Sequence, residues 1–512
     1  MAKLLTVLKS IAAANVLVAA SACAGLPLVS DAAAQVQARQ IPGPSIGLFN
    51  NPYYACVKNY YVSLTGSDSN SGATPAGAWL TLQHANNVGR TAGDCVNVEP
   101  GTYAHGVKIN TGGKLASKTG YVVWRCVKMD ACIVTDVAAG NQQGAFSLDQ
   151  SALPLLKGAF VIIDGFTLRA STETIWGQGI ELSDGQTPEE IVTDHHVWII
   201  NSVISGYGQS GIQMNSGEYF FVIHNTIYNN SRVGCSAQGS GISMTALKAF
   251  PNYVRTPDDS FNKMAGTIGS INNEVSWNVL YNNAITGCGT AGNPYDTDGN
   301  NIIIDTLNNG GGTNVKYPGY VLVAFNVTYN SGTRGIHVFQ SENVIVANNS
   351  CYNNNLDPYN QGTYRPCIGD NLSYNNLFFN NISYGITGPG SLQWNGAYAG
   401  GVLAGAPILD TFTNNISYCV GTQPYGGCNP MFNGDVFSCT TNRCNTNPNW
   451  VNAGSQSTGT ETTQPVGANF ALKRGSPAVG TGMLASYLPP QSIDMGACSS
   501  AYLICPAVSS QP

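Results

Sequence analysis

The stretch "LVAFNVTYNSGTRGIHVFQSENVIVANNSCYNN", Leu322 to Asn354, says one thing twice. An alternating apolar run leads to Asn326 and resumes as a second short run. The phrase "GIHV" follows, and the cycle starts again at Val344 with its asparagine at Asn349. Period-two alternation places successive side chains on opposite faces of a strand. The same phrase occurs as "VIIDGFTLRA" from Val161, "VWIINSVISG" from Val197, "FVIHNTIYNN" from Phe221 and "EVSWNVLYNN" from Glu274. Shorter copies are "NNISYGI" from Asn380 and "NNISYCV" from Asn414. The anchors are then Asp164, Asn201, Asn225, Asn278, Asn326, Asn349, Asn381 and Asn415. Asn201 to Asn225 is 24 residues and Asn326 to Asn349 is 23. The longer intervals hold insertions.

Between anchors a second phrase recurs: "GIEL" from Gly179, "GIQM" from Gly211, "GISM" from Gly241, "NIII" from Asn301 and "GIHV" from Gly335. Two short strands per turn of about 23 residues, separated by turn residues, predict an all-β parallel solenoid. Coils about 4.8 Å apart place equivalent residues in ladders. An asparagine at each bend can bond its own turn and its copies above and below. Asn326, Asn381 and Asn415 also spell N-x-S/T, and they read as ladder positions because a glycan does not fit inside a stack.

The composition agrees. Length alone would suggest about three domains, but solenoids grow in one dimension. Only 10% of the 512 residues are charged and 59 are glycine, which is unlike a disordered chain. The net charge of -6 argues against a nonspecific nucleic-acid binder. Residues 1–34 read as a signal peptide: Lys3 and Lys9, an apolar run, then small residues up to Ala34. A membrane anchor is the alternative there, and "ASAC" ending at Cys23 is a weak lipoprotein site. Later in the chain, no stretch reaches the roughly 18 apolar residues of a spanning helix. Without Cys23, 14 of the 15 cysteines remain, several closely spaced: Cys126 with Cys132, Cys419 with Cys428, Cys439 with Cys444, and Cys498 with Cys505. An exported chain with an even count forms disulfides, and zinc is disfavoured by the lack of CxxC or clustered histidines. The pairing itself is not readable.

The repeat resembles the right-handed parallel β-helix proteins of the pectate-lyase-like superfamily, over roughly residues 60 to 500. "YYVSLTGSDSNSGATPAGAWLTLQHANNVGRTAGDCVNVEPGTY" from Tyr60 is similar to their N-terminal region of strand, loop, amphipathic helix and first coil. Trp79, Leu82 and Val88 would give that helix its apolar face over the open end of the stack, which must be covered. "ANFALKRGSPAVGTG" and "SIDMGA" resemble their closing coil. Residues 35–59 are then an N-terminal extension, 60–500 the β-helix with cap and insertions, and 501–512 a tail.

Within "GIxh" the flanking apolar residues face inward, so x faces out. The outward row is Glu181, Gln213, Ser243, Ile303 and His337. It reads either as a sugar-binding face, with Glu181, Gln213 and Ser243 touching substrate, or as a merely solvated sheet. "NPYDTDGNNIIIDTLN" from Asn293 concentrates Asp296, Asp298 and Asp305 in a chain poor in acids. Aligning Asn301 with Gly335 sets Asp298 opposite Gly332 and Asp296 opposite Asn330, one coil from Arg334 and His337. These carboxylates suit Ca²⁺, and "DTDGN" suits an ordinary turn equally.

The resemblance extends to β-helix lyases of uronic-acid polymers, family-9-like. Their elimination needs the substrate carboxylate neutralised by Ca²⁺ or Arg and a base for the adjacent proton. "GIHV" stands where that family carries a lysine in a phrase like "GFKL". The resemblance therefore implies His337 as base, its usual pKa being about 6.5, and Arg334 as the neutralising cation or, if deprotonated, the base. "TDHHV" from Thr193 reads as a turn holding His195 and His196. Asp258 and Asp259, near Lys263, lie in an insertion that can reach over the groove. A polygalacturonase-like series, a nucleophile elbow and a phosphate loop are absent. The expectation is a secreted or periplasmic monomer that acts on an acidic polysaccharide as a lyase. The alternatives are an inverting glycoside hydrolase using the Asp cluster and a noncatalytic carbohydrate-binding or adhesive protein.

Overall fold

The computed structural model describes residues 56–114, 120–138, 144–148, 160–172, 177–183, 194–232, 239–249, 271–285, 298–308, 316–356, 366–386, 398–401, 406, 408–420, 431–433, 437–452, 469–485, 488 and 494–498. The signal peptide and tail therefore lie outside the described residues, as does all of the extension before Cys56.

One coil shows how the sequence builds the whole. Tyr320–Ala324 is a strand of a first sheet, A, Val327–Tyr329 of a second, B, and Ile336–Phe339 of a third, C. Each strand pairs in parallel with its equivalent one coil on, giving sheets of 11, 11 and 10 strands for A, B and C among the described residues. Parallel crossovers take the right hand, and the chain is a right-handed parallel β-helix. The coil has three strands where the repeat suggested two. The anchor phrase is broken by a left-handed residue, Phe325 at φ 56°, which bends the chain from sheet A into sheet B.

The asparagine ladder stands just after that bend. Asn225, Asn278, Asn326, Asn349, Asn381, Asn415 and Asn442 succeed one another. Each Oδ1 from Asn278 on accepts both the backbone N–H and the side-chain amide of the preceding asparagine, at 2.9 to 3.0 Å. Asn326, Asn381 and Asn415 are wholly buried, as ladder positions require. Two expected anchors are out of step. Ser202, not Asn201, meets Asn225, at a separation of 23 residues. Asn201 sits one position earlier with φ 53°, a conformation asparagine tolerates. Asp164 pairs with Ile200, still earlier.

Inside the coils, rows such as Ile212, Ile242, Ile302 and Ile336 form one continuous core. The glycine of "GIxh" has a steric reason. A Cβ at Gly211 would stand 2.7 Å from the Gly241 carbonyl oxygen, and one at Gly335 would stand 2.2 Å from Cys351 Sγ.

Both ends are managed. The short helix Leu82–Asn87, capped by Thr81, buries Leu82 and Ala85, and Trp79, expected on its face, precedes the helix and is buried in the same core. Val88, expected on that face, is the exposed C-cap, since the helix ends one residue before it. Gln83 accepts from Lys108 N–H at 2.9 Å and donates to its carbonyl at 3.3 Å, so its amide imitates a strand at the edge of sheet C. At the other end Trp450–Asn452 and Asn469–Leu472 pair antiparallel. They are not a further parallel coil. With Met495 they pack on an outer row of sheet B in which Tyr228, Tyr281 and Tyr329 stack and Tyr352 takes the next position in register.

Disulfides join Cys56–Cys95, Cys126–Cys132, Cys351–Cys367 and Cys439–Cys444. Cys419 and Cys498 are also disulfide-bonded. Among the described residues, no helix is long and apolar enough to cross a membrane.

Candidate functional site

The outward row forms in the expected register. Glu181 pairs with Gln213, Gln213 with Ser243, Ser243 with Ile303, and Ile303 with His337. The row is not a solvated face: Glu181 is 7% exposed, Ser243 5%, Ile303 2% and His337 4%, with Gln213 half-buried. Gln213 and Ser243 are engaged with neighbours on their own coils. Gln213 accepts from Ser210 and donates to Asn215, and Ser243 shares a hydrogen bond with Thr245. Glu181 differs. Its Oε2 is enclosed without a hydrogen-bond partner, and burial pushes the carboxyl up to about 7.

Around His337 the chain assembles a connected polar group. Arg334 Nη1 stands 3.4 Å from His337 Nδ1. A guanidinium only donates, so Nδ1 is the acceptor and a neutral His337 carries its proton on Nε2. The Arg334 N–H donates to Asn300 Oδ1 at 3.3 Å, Thr333 donates to the same oxygen at 2.7 Å, and Asn300 donates to Asp298 Oδ1 at 3.3 Å. Asn300 thus links the acidic coil to the arginine coil. It was missed in the sequence because "GNN" reads as turn chemistry. Gly369 pairs with His337 on the following coil and adds no side chain to the row, so one flank of the imidazole has no neighbouring side chain in the row. The phenyl ring of Phe339 lies 5.5 Å from the imidazole, centroid to centroid.

Asn301 takes its place one coil from Gly335, as the alignment required. Asp305 pairs with Phe339, which sets it diagonally across from His337 on the same outer face. Its Oδ1 is buried with no hydrogen-bond partner, and its carboxyl is raised to about 7 by burial and by the charge of Asp298. Asp296 lies outside the described residues, as do Asp258, Asp259 and Lys263. Among the described residues no group of three His, Cys, Asp or Glu is gathered as a metal shell.

His195 and His196 do not occupy a turn. They open the strand His195–Ile200, inside sheet A, and both are buried. His196 lies between the rings of Phe160 and Tyr219, 4.5 and 4.3 Å away. Burial and the neighbouring His196 hold His195 well below its usual pKa. They belong to an aromatic column on another sheet, apart from the row of sheet C.

The class defined by fold and row is therefore a parallel β-helix that sets half-buried Asp298, Asp305 and Arg334 around the buried His337 on the outer face of sheet C. No family model matches the chain, and no curated protein does. Among solved structures it is similar to a pectate lyase, at 12% identity over 87% of this chain and 97% of that one, with a TM-score of 0.43. An alginate lyase from Paenibacillus sp. str. FPU-7 is 15% identical over 70% and 96%, TM-score 0.38. A rhamnogalacturonan lyase is 13% identical over 77% and 91%, TM-score 0.35.

Proposed function

We propose that the outer face of sheet C binds an acidic, uronate-containing polysaccharide and that Arg334 and His337 cleave it by β-elimination. The observation that carries this reading is the contact between Arg334 Nη1 and His337 Nδ1, 3.4 Å, on the outward row. The substrate carboxylate is a better partner for a guanidinium than an imidazole nitrogen is, because the pair is charged and bidentate. Arg334 then turns to the carboxylate and acidifies the proton on the carbon beside it. His337 Nδ1, released from Arg334, takes that proton. The C–H electrons become a carbon–carbon double bond, the glycosidic C–O bond breaks, and the leaving oxygen takes up a proton. Gln213, Ser243 and Glu181 line the path of the polymer along the coils.

Asp298 and Asp305, with Asp296, would hold Ca²⁺. The fit rests on Asp305: its enclosed Oδ1 has no donor and a second carboxylate acts on it, which is the setting a divalent cation relieves. A bound Ca²⁺ would add to the neutralisation of the substrate carboxylate. The disulfides support export to an oxidising compartment, with a signal peptide removed on the way.

An inverting hydrolase is the second reading, favoured by the raised carboxyl of Asp305 beside Asp298. Glu181 cannot be its partner. It is three coils from Asp305 by register, roughly 14 Å along the axis, beyond the ~6.5–9.5 Å that inversion needs.

The test is a panel of uronate polymers followed by ultraviolet absorbance of the unsaturated end. Absorbance that grows and is lost with EDTA is the expected result. New reducing ends without absorbance mean hydrolysis, and binding with neither means an adhesive or carbohydrate-binding role.

A further inference from the structure

We propose that Glu181 forms a distal subsite, contacting a sugar of the same polymer about four coils from the one held at His337. The inference rests on the reading of the sheet C face as polymer-binding, and it assigns that face a length requirement. The register from Glu181 passes Gln213, Ser243 and Ile303 before His337, which is roughly 19 Å along the axis. A pyranoside advances an extended chain by a length close to one coil spacing, so consecutive sugars meet consecutive coils.

Three observations single out Glu181 on that row. It is 7% exposed, and only one of its oxygens, Oε2, is fully enclosed. That oxygen has no donor, whereas the side chains of Gln213 and Ser243 are already engaged. The strands on either side face Glu181 with uncharged groups, Ser147 and Gln213, and the first ionisable side chain on the row is Lys108, two coils away. A buried acid with no partner costs stability, and such groups persist where a ligand uses them. With the enclosed Oε2 as the carbonyl oxygen, the protonated Oε1 is the atom that donates, to a carboxylate or hydroxyl of the polymer. Burial keeps that proton in place to about pH 7.

Calorimetry on the His337→Ala protein tests this without turnover. The probes are oligogalacturonate and oligoguluronate, each as one oligomer too short to span His337 to Glu181 and one long enough. The long oligomer of one series should bind more tightly. Adding Glu181→Leu should remove that advantage, a loss of about tenfold or more for a hydrogen bond to a charged group. Adding Glu181→Gln, a neutral donor of the same shape, should keep it. Both variants should melt no lower than their parent, since they remove an unpaired buried acid. A long-chain advantage that survives Glu181→Leu, or no advantage in the parent protein for either series, overturns the subsite. A subsite that behaves as expected in a protein yielding no unsaturated product would leave the inference standing and remove the elimination chemistry.

Discussion

At the scale of single residues the outer row of sheet C is organised by what its side chains lack. Glu181 and Asp305 each enclose a carboxylate oxygen without a hydrogen-bond partner, and both titrate near 7. For Glu181 this has a consequence for stability against pH. Its folded pKa is raised from 4.5 to about 7, so between those values the folded chain holds a proton that the unfolded chain releases. Its contribution is present below pH 4.5 and is lost as pH rises through 7, a change of roughly 3 kcal/mol for a shift of this size. Glu181→Gln should flatten that part of a stability-against-pH curve from chemical denaturation; an unchanged slope would mean the carboxyl is not buried as described. Arg334→Ala should lower kcat/KM by about 10²-fold or more if the guanidinium neutralises the substrate. Arg334→Lys should recover only part, because an ammonium lacks the bidentate fork. Glu181 and His337 were legible in the sequence from the period of "GIxh". Their burial was not, because period two says which way a side chain points and nothing about what lies over it. The bond from Asn300 to Arg334 was hidden because it joins coils, whereas the sequence shows turns one at a time.

At the scale of elements the recurring asparagines explain the fold more than the chemistry. Asn326 accepts from Asn278 and donates to Asn349 and to Val275, all in a buried column. Asn326→Ala strands donors and acceptors in the coils on both sides. It should cost about 3 kcal/mol or more by denaturant titration, against a fraction of that for an exposed asparagine. Gly335→Ala should also destabilise, by roughly 1–3 kcal/mol, since the added methyl has to displace Cys351 Sγ or Thr328. Six of the eight proposed anchors stand in the ladder because each coil repeats the same alternating run up to its asparagine. Asn201 was misplaced because an asparagine is equally at home one position earlier, in the left-handed bend, and Asp164 because it ends the strand before a bend that Gly165 takes at φ 77°. His195 and His196 were misread because "TDHHV" has turn composition, and the stacking of His196 between Phe160 and Tyr219 comes from residues distant in the chain.

At the scale of the molecule the solenoid has to end somewhere, and the chain spends its non-repeating residues there. The amide of Gln83 closes one edge, and the antiparallel pair near the C-terminus lies over the tyrosine column of sheet B. A chain truncated after residue 448 should keep its strands by circular dichroism, bind a hydrophobic dye at the uncovered tyrosines and melt at a lower temperature. Unchanged melting would mean the strap contributes nothing. The parallel coils were legible from Val161 to Asn415, since each repeat there carries its own strands and bend, whereas the earlier coils with strands such as Asp94–Val98 and Val122–Cys126 carry no anchor asparagine. The antiparallel return was not, because it occurs once and has no period. The central claim is that Arg334 and His337, on one coil of this frame, eliminate across a glycosidic bond. It is tested most directly by the ultraviolet absorbance of unsaturated ends, comparing the unaltered protein with His337→Ala on one uronate polymer at equal folded concentration. The account predicts steady growth with the unaltered protein and a rate lower by about 10²–10⁴-fold with the variant. Equal rates from the two proteins would contradict it.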